Sequence, residues 1–304
     1  MINNYNRLRN LTLRAKIIKS VREFFTCQSF LEVDTPIRIP APAPEPYISP
    51  QSSGDWYLQT SPELCMKRLL AAGFPKIFQI CKCFRKEERG HRHLPEFTML
   101  EWYEAGATYT DLMDQCEGLF DFIRRELDLP ESISYKKQTI GISAPWEKLS
   151  VADAFRRYAT ISMDTAMATG VFDETIAFEL EPRLGTTRPV FLYDYPAITC
   201  SLAAPKPHAP HLIERFELYM SGLEICNGFT ELTDAAAQRK HFKAEQENRT
   251  QKHLPKLPMP EKFLDDLHFM PAAAGNALGL DRLIMLFAGA DTIDEVVAFT
   301  PESL

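Results

Sequence analysis

Two segments far apart in the chain carry residue types that grip polyphosphates. The first, 84–101 (FRKEERGHRHLPEFTMLE), holds Arg85, Glu87, His93 and Phe97. A strand carrying Arg85 and Glu87 puts both on one face. An arginine fork binds phosphate or carboxylate through two hydrogen bonds, and a neighbouring carboxylate accepts from an exocyclic amine. The loop 88–93 is rich in arginine and histidine and suits phosphate clamping, while Phe97 offers a flat ring to a base. The second segment, 275–283 (GNALGLDRL), puts Gly279 just ahead of Asp281 and Arg282 at the start of a helix. Glycine lets backbone approach a ligand closely, a helix N-terminus favours anions, and Arg282 then faces a phosphate. Taken singly, each segment also reads as something ordinary: a solvated hairpin tip with ion pairs, or a glycine turn before a core helix. Together they read as one nucleotide site that grips a triphosphate from both ends.

A third group lies between them. Glu217 and Glu224 meet across a hairpin if Ser221-Gly222 is a tight turn, and paired carboxylates suit Mg²⁺ bridging a triphosphate. Glu231 with Glu101 and Tyr103 makes an acidic pocket suited to a cationic substrate. Without the other segments, Glu217 and Glu224 read as exposed hairpin glutamates. There is no GxxxxGK and no GxGxxG, so P-loop and dinucleotide-fold readings have no support. His91 and His93 lack the further ligands a metal pair needs.

The elements that must position these groups follow from periodicity. Leu13, Ile17, Val21, Phe24 and Phe25 predict an amphipathic helix over 11–26. Residues 30–33 are β-prone. The run Pro36, Pro40, Pro42, Pro44, Pro46, Pro50 excludes helix and reads as an extended connecting loop. Residues 56–59 predict a strand. Ser61 as N-cap and Pro62 at the first helical position open a helix through 72. Strands are expected at 76–84, 97–104, 190–195, 215–220 and 222–229, with helices at 110–127, 234–250 and 282–287. Between Pro130 and Pro189 the signals weaken to one helix near 151–158, and the stretch reads as an insertion at about 130–189 in a single catalytic domain, 1–304. Helices mixed with mainly antiparallel strands make the class α+β.

Composition narrows the function. The 304 residues are 45% hydrophobic, enough for a large core. Net charge is -7, which disfavours nucleic acid as a partner over the general surface. Seven cysteines without a CxxC pair read as reduced thiols. No apolar run reaches the roughly 20 residues of a membrane span, and residues 1–10 lack a signal-peptide core. The expected location is cytoplasmic.

These segments resemble, in order, the motifs of class II aminoacyl-tRNA synthetases: 30–36 (FLEVDTP) the first, 84–101 the second and 275–283 the third. Residues 60–64 (TSPEL), 66–69 (MKRL), 95–99 (PEFTM) and 224–231 (EICNGFTE) are similar to the lysine-specific subgroup. The likeness spans nearly the whole chain and is weakest at 130–189. It implies an antiparallel sheet flanked by helices, a homodimer, and ATP with Mg²⁺. Arg85 would hold the α-phosphate and the substrate carboxylate, and Arg282 the γ-phosphate; these two would be the catalytic residues. Glu87 and Phe97 would hold adenine, with His93 near the phosphates and Glu217 and Glu224 on Mg²⁺, Glu217 thereby contributing to ATP binding. Glu63 would meet the amino group near the carboxyl end. Glu101, Tyr103 and Glu231, with Asn227 beside them, would receive the distal ammonium.

Two departures bear on substrate. The first-motif helix begins near Leu11, leaving no room for the N-terminal OB-fold domain that reads the anticodon. Ala277 stands where lysyl-tRNA synthetases usually have glycine, and one methyl in the amino-acid pocket is worth roughly 1–3 kcal/mol of discrimination. Both features resemble the elongation factor P lysine ligases, truncated paralogues of lysyl-tRNA synthetase. That resemblance implies activation of (R)-β-lysine as its adenylate, transfer to a lysine ε-amine of elongation factor P, and no stable tRNA binding. A truncated synthetase charging tRNA and a non-catalytic regulatory paralogue are the alternatives. Amide-forming relatives fit poorly, because their acidic substrate would face Glu101 and Glu231. Residues 42–50 and Leu94 depart from the family pattern.

Overall fold

The computed structural model describes residues 4–45, 48–200 and 202–304; Pro46 of the proline run and the first three residues of the polar N-terminus lie outside them. Nine strands among the described residues form the main sheet: β1 (Leu31–Glu32), β2 (Lys76–Phe84), β3 (Glu96–Ala105), β4 (Glu147–Ser150), β5 (Val190–Pro196), β6 (Pro205–Lys206), β7 (Ala209–Met220), β8 (Leu223–Thr230) and β9 (Ala273–Gly279). Their order is β1-β2-β3-β9-β8-β7-β5-β4, with β6 added to β7. Pairing from β2 through to β5 is antiparallel, as expected. The two outermost pairs, β1 with β2 and β4 with β5, are parallel.

Alternation along the strands divides the sheet into a core face and a site face. On β3, Leu100 and Trp102 join one apolar cluster, while Met99, Glu101 and Tyr103 point the other way. Covering the core face are α1 (Asn4–Cys27), α3 (Tyr109–Glu126) and α6 (Leu280–Ala288). The helical apolar repeat of α1 delivers Ile17, Val21 and Phe25 there, all with 0% exposure. Phe25 stacks on Phe78 at 5.0 Å and meets Trp102 at 5.2 Å. Burial of such rings stabilises the face by roughly 1.5–3 kcal/mol each. On the site face, α2 (Glu63–Ala71) packs its buried Leu64, Met66 and Leu70 against Ile77 and Tyr103. The α2 helix starts at Glu63, one residue later than expected, although the Ser61 hydroxyl does accept the Glu63 N–H at 3.0 Å.

The glycine-bearing stretch is not a turn. Residues 273–279 form β9, a central strand between β3 and β8, and the turn into α6 comes only at Gly279. Small residues are required there. A Cβ on Gly275 would run into the Tyr103 ring and lie 2.5 Å from Glu231 Oε1. Such a strand carries no β-branched signal, so its neighbours, not its propensity, fix it.

The weakly patterned stretch folds into regular elements. It supplies a hairpin (Ser132–Tyr135 with Gln138–Gly141), the edge strand β4 and α4 (Val151–Tyr158), which Ser150 caps by accepting from Asp153 N at 3.1 Å. Val151, Phe155, Phe172 and Leu180 form a second apolar cluster against Leu192 and Tyr219. Farther on, α5 (Ala235–Gln251) is capped by Asp234, which accepts from the amides of Ala236 and Ala237. No helix among the described residues is long and apolar enough to cross a membrane.

Candidate active site

A cleft of about 610 Å³ opens on the site face, within the range of ligand sites. It is lined by Arg85, Glu87, His93, Phe97, Arg282 and Ala277, with Glu217, Glu224 and Asn227 along another wall. The two arginine-bearing segments therefore do meet.

Arg85 and Glu87 do not share a strand face. Strand β2 ends at Phe84, and the chain turns, with Glu87 at φ +67° and its side chain 79% exposed. Glu87 thus stands at the rim. Arg85 stays inside, its guanidinium 5.1 Å over the Phe97 ring. Arg85 thus covers one face of the ring that would meet a base. Arg85 Nε is buried without a hydrogen-bond partner among the described residues, and Arg85 Nη1 is 3.9 Å from the Glu88 carboxylate. A buried donor left this way favours an incoming anion.

Arg282 is held from several sides. Its Nη1 donates to the Glu224 carbonyl at 2.8 Å and its Nε to the Arg92 carbonyl at 3.3 Å. Its Nη2 is 2.6 Å from His93 Nε2. Loss of solvent, then the charges of Arg282, Arg85 and Arg92, hold the His93 imidazole down to about 4, so the neutral ring accepts from Arg282. The adjoining Asp281 accepts from Thr98 N at 2.7 Å and from Arg14, which also donates to Thr98 Oγ1 at 2.7 Å. One buried carboxylate thus joins α1, β3 and α6 and fixes where Arg282 emerges.

Strands β7 and β8 meet at Ser221 and Gly222, both at positive φ, as a two-residue hairpin turn requires. Glu217 accepts from the Tyr195 hydroxyl at 2.5 Å, from the Tyr219 hydroxyl at 2.6 Å and from Arg215. Burial and then the Glu217 charge push the Glu224 carboxyl up. Glu181 joins them from the weakly patterned stretch, raised to about 7 by burial, Glu224 and Glu217. A carboxyl raised by neighbouring carboxylate charge is what a divalent cation relieves. No group of three or more ligating side chains stands ready among the described residues, so phosphate and water would complete the coordination of Mg²⁺.

The acidic cluster is buried: Glu101 and Glu231 are 1% and 3% exposed. Glu101 accepts from Ser61 Oγ at 2.6 Å and from the Tyr103 hydroxyl at 3.0 Å. Glu63 and Glu231 share a lysine the sequence reading missed: Lys67 Nζ is 2.5 Å from Glu63 Oε1 and 2.5 Å from Glu231 Oε2. Burial opposes the Lys67 charge, but Glu231 and Glu63 outweigh it and hold the ammonium well above the usual lysine range. Its spacing of four from Glu63 was the available signal. Ala277 pairs with Asn227 on one side and Glu101 on the other, so its methyl shares their face.

Burial pushes Glu101 and Glu231 up to about 8 each, from 4.5 in the unfolded chain. The folded protein therefore keeps protons that the unfolded chain loses, and stability falls as pH rises through that window. His93, held low, opposes this only below 6.5. The melting temperature of the free protein is expected to drop between about pH 6 and about pH 9, and a diammonium amino acid to offset the drop. Thermal unfolding across pH checks this; a flat or rising profile contradicts it.

The sheet flanked by helices is the fold of the class II synthetases. Residues 1–303 match the family tRNA synthetases class II (D, K and N), and the chain belongs to it. Within that family it groups with the elongation factor P–(R)-β-lysine ligases. The Edwardsiella ictaluri enzyme of that name is 39% identical over 96% of this chain and 94% of the relative. That of Pectobacterium carotovorum is 39% identical over 96% and 95%, and that of Haemophilus influenzae 37% over 97% and 96%.

Proposed function

We propose that this protein activates (R)-β-lysine with ATP and transfers it to a lysine ε-amine of elongation factor P. The observation that carries the reading is the adjacency of two groups of residues: Ala277, which lines the arginine-bearing cleft, pairs across β9 and β3 with Glu101 of the buried acidic cluster. A substrate with a carboxylate at one end and an ammonium at the other would span the two groups. The near-full-length likeness to ligases of this name supports the choice of isomer and acceptor.

In this reading, Arg85 holds the substrate carboxylate and the α-phosphate, while Arg282 holds the γ-phosphate. Glu87 and Phe97 hold adenine, and His93 keeps Arg282 in place. Glu101, Tyr103 and Glu231 take the distal ammonium, with Asn227 beside it, and Glu63 lies toward the proximal amine. A carboxylate oxygen attacks the α-phosphorus, the bond to the β-phosphate oxygen breaks, and pyrophosphate leaves. The acceptor amine then attacks the carbonyl carbon, loses a proton and expels AMP. No protein nucleophile is needed; positioning and charge neutralisation lower the barrier. Glu217 and Glu224 would hold Mg²⁺, which when bound would neutralise charge on the phosphates.

Amino-acid-dependent exchange of pyrophosphate into ATP tests the activation step. The proposal requires exchange with (R)-β-lysine; none with any lysine isomer would sink it. Ala277→Gly is expected to improve kcat/KM for α-lysine roughly tenfold relative to (R)-β-lysine, because it removes the methyl beside Glu101 and Asn227. An unmoved ratio would clear Ala277 of a selective role. We further propose a cytoplasmic homodimer in which 1–304 is one catalytic domain and 130–189 an insertion that brings Glu181 to the site.

A further inference from the structure

We propose that Glu45, in the proline-rich segment, receives the amino group nearest the carboxyl end of the amino acid and thereby reads which isomer is bound. The inference rests on the activation reaction proposed above. By sequence, this segment is only a connector. In the fold, Glu45 lines the open cleft with Arg85, Asn227 and Ala277. Its carboxylate has no hydrogen-bond or ion-pair partner among the described residues.

Its backbone, in contrast, is tied down. Arg249 of α5, with 1% exposure, donates Nη1 to the carbonyls of Glu45 at 2.6 Å and Ile48 at 2.9 Å, and Nε to that of Pro255 at 3.3 Å. On the far side, Lys86 N donates to the Ser49 carbonyl at 2.8 Å. Burying a guanidinium is costly unless its donors are satisfied; here they are spent on fixing this loop. An unpaired carboxylate on an anchored backbone is a preorganised binding group.

Glu63, the residue matched to this role by resemblance, also holds Lys67 at 2.5 Å, and Glu45 adds a second carboxylate that lines the open cleft itself. Glu45 lines the same cleft as Arg85, the proposed holder of the substrate carboxylate. Burial raises its carboxyl to about 7, which an arriving ammonium would reverse. With the distal ammonium fixed at Glu101 and Glu231, and the carboxylate at Arg85, moving the proximal amine by one carbon changes its reach to Glu45. The isomer is read by that offset.

The test is Glu45→Gln, which keeps shape and removes charge, in pyrophosphate exchange. KM for (R)-β-lysine is expected to rise roughly 30-fold, with KM for ATP unchanged. Inhibition by 6-aminohexanoate, which lacks the proximal amine, is expected to be the same in both proteins. An unchanged KM for (R)-β-lysine, or an equal weakening of 6-aminohexanoate, overturns the assignment. Absence of exchange in the unaltered protein would instead remove the activation reading itself.

Discussion

Arg282→Ala is expected to lower kcat/KM for pyrophosphate exchange by about 10³-fold, the scale seen when one preorganised charge donor to a transition state is removed. Arg282 leaves α6 from a backbone fixed by Asp281, Thr98 and Arg14, and none of those contacts uses its own side chain. The fold should therefore tolerate the change, with a melting temperature within a few degrees of the parent protein. Two local effects follow. His93 loses its partner at 2.6 Å and the largest neighbouring charge that keeps its imidazole neutral, so its basicity rises. Glu224 loses a guanidinium that lowers its carboxyl, so it holds a proton more readily and binds a cation less well. Exchange kinetics paired with thermal unfolding checks this. Retained exchange would mean that the third segment does not touch the polyphosphate.

Lys67→Met is expected to damage both stability and activity. Lys67 is 1% exposed and lies between two carboxylates at 2.5 Å each. Removing one partner of such a buried cluster costs about 3–5 kcal/mol, because it leaves uncompensated charge. The remaining acids answer by taking up protons. Glu231, already raised to about 8 with Lys67 opposing the shift, rises further, and the folded state gains protons relative to the unfolded chain. Stability of the variant then falls more steeply with pH than that of the parent. Melting in urea at about pH 6 and about pH 9 reads the difference, with the larger deficit expected at the higher pH. A deficit equal at both values, or none, would show that Lys67 does not neutralise these acids.

The chemistry was more legible in the chain than the scaffold. Arginines clustered with acidic, aromatic or glycine residues announce themselves wherever they stand, so Arg85, Phe97 and Arg282 were readable without knowing how they meet. Alternating strands such as β2 and β3 and the apolar repeat of α1 were equally plain. By contrast, β9 hid behind Ala-Ala-Gly-Asn-Ala, a run of low strand propensity in which Gly275 leaves room for the Tyr103 ring. Glu87 was misplaced because the strand was carried past Phe84, where the backbone turns to positive φ. The charges Lys67, Arg215, Glu181 and Glu45 were missed because a charged residue reads as a surface residue until the groups packed around it are known. The stretch 130–189 looked weak because its helices are short and its hydrophobic residues serve two separate clusters.

The central claim is the identity of the acid and of its acceptor, and one measurement addresses both. Radiolabelled (R)-β-lysine and α-lysine are offered in parallel, with ATP and Mg²⁺, to elongation factor P and to tRNA. The account predicts label on elongation factor P, stronger with the β-isomer, and none stably on tRNA. Label on tRNA alone, or on neither acceptor, would contradict it.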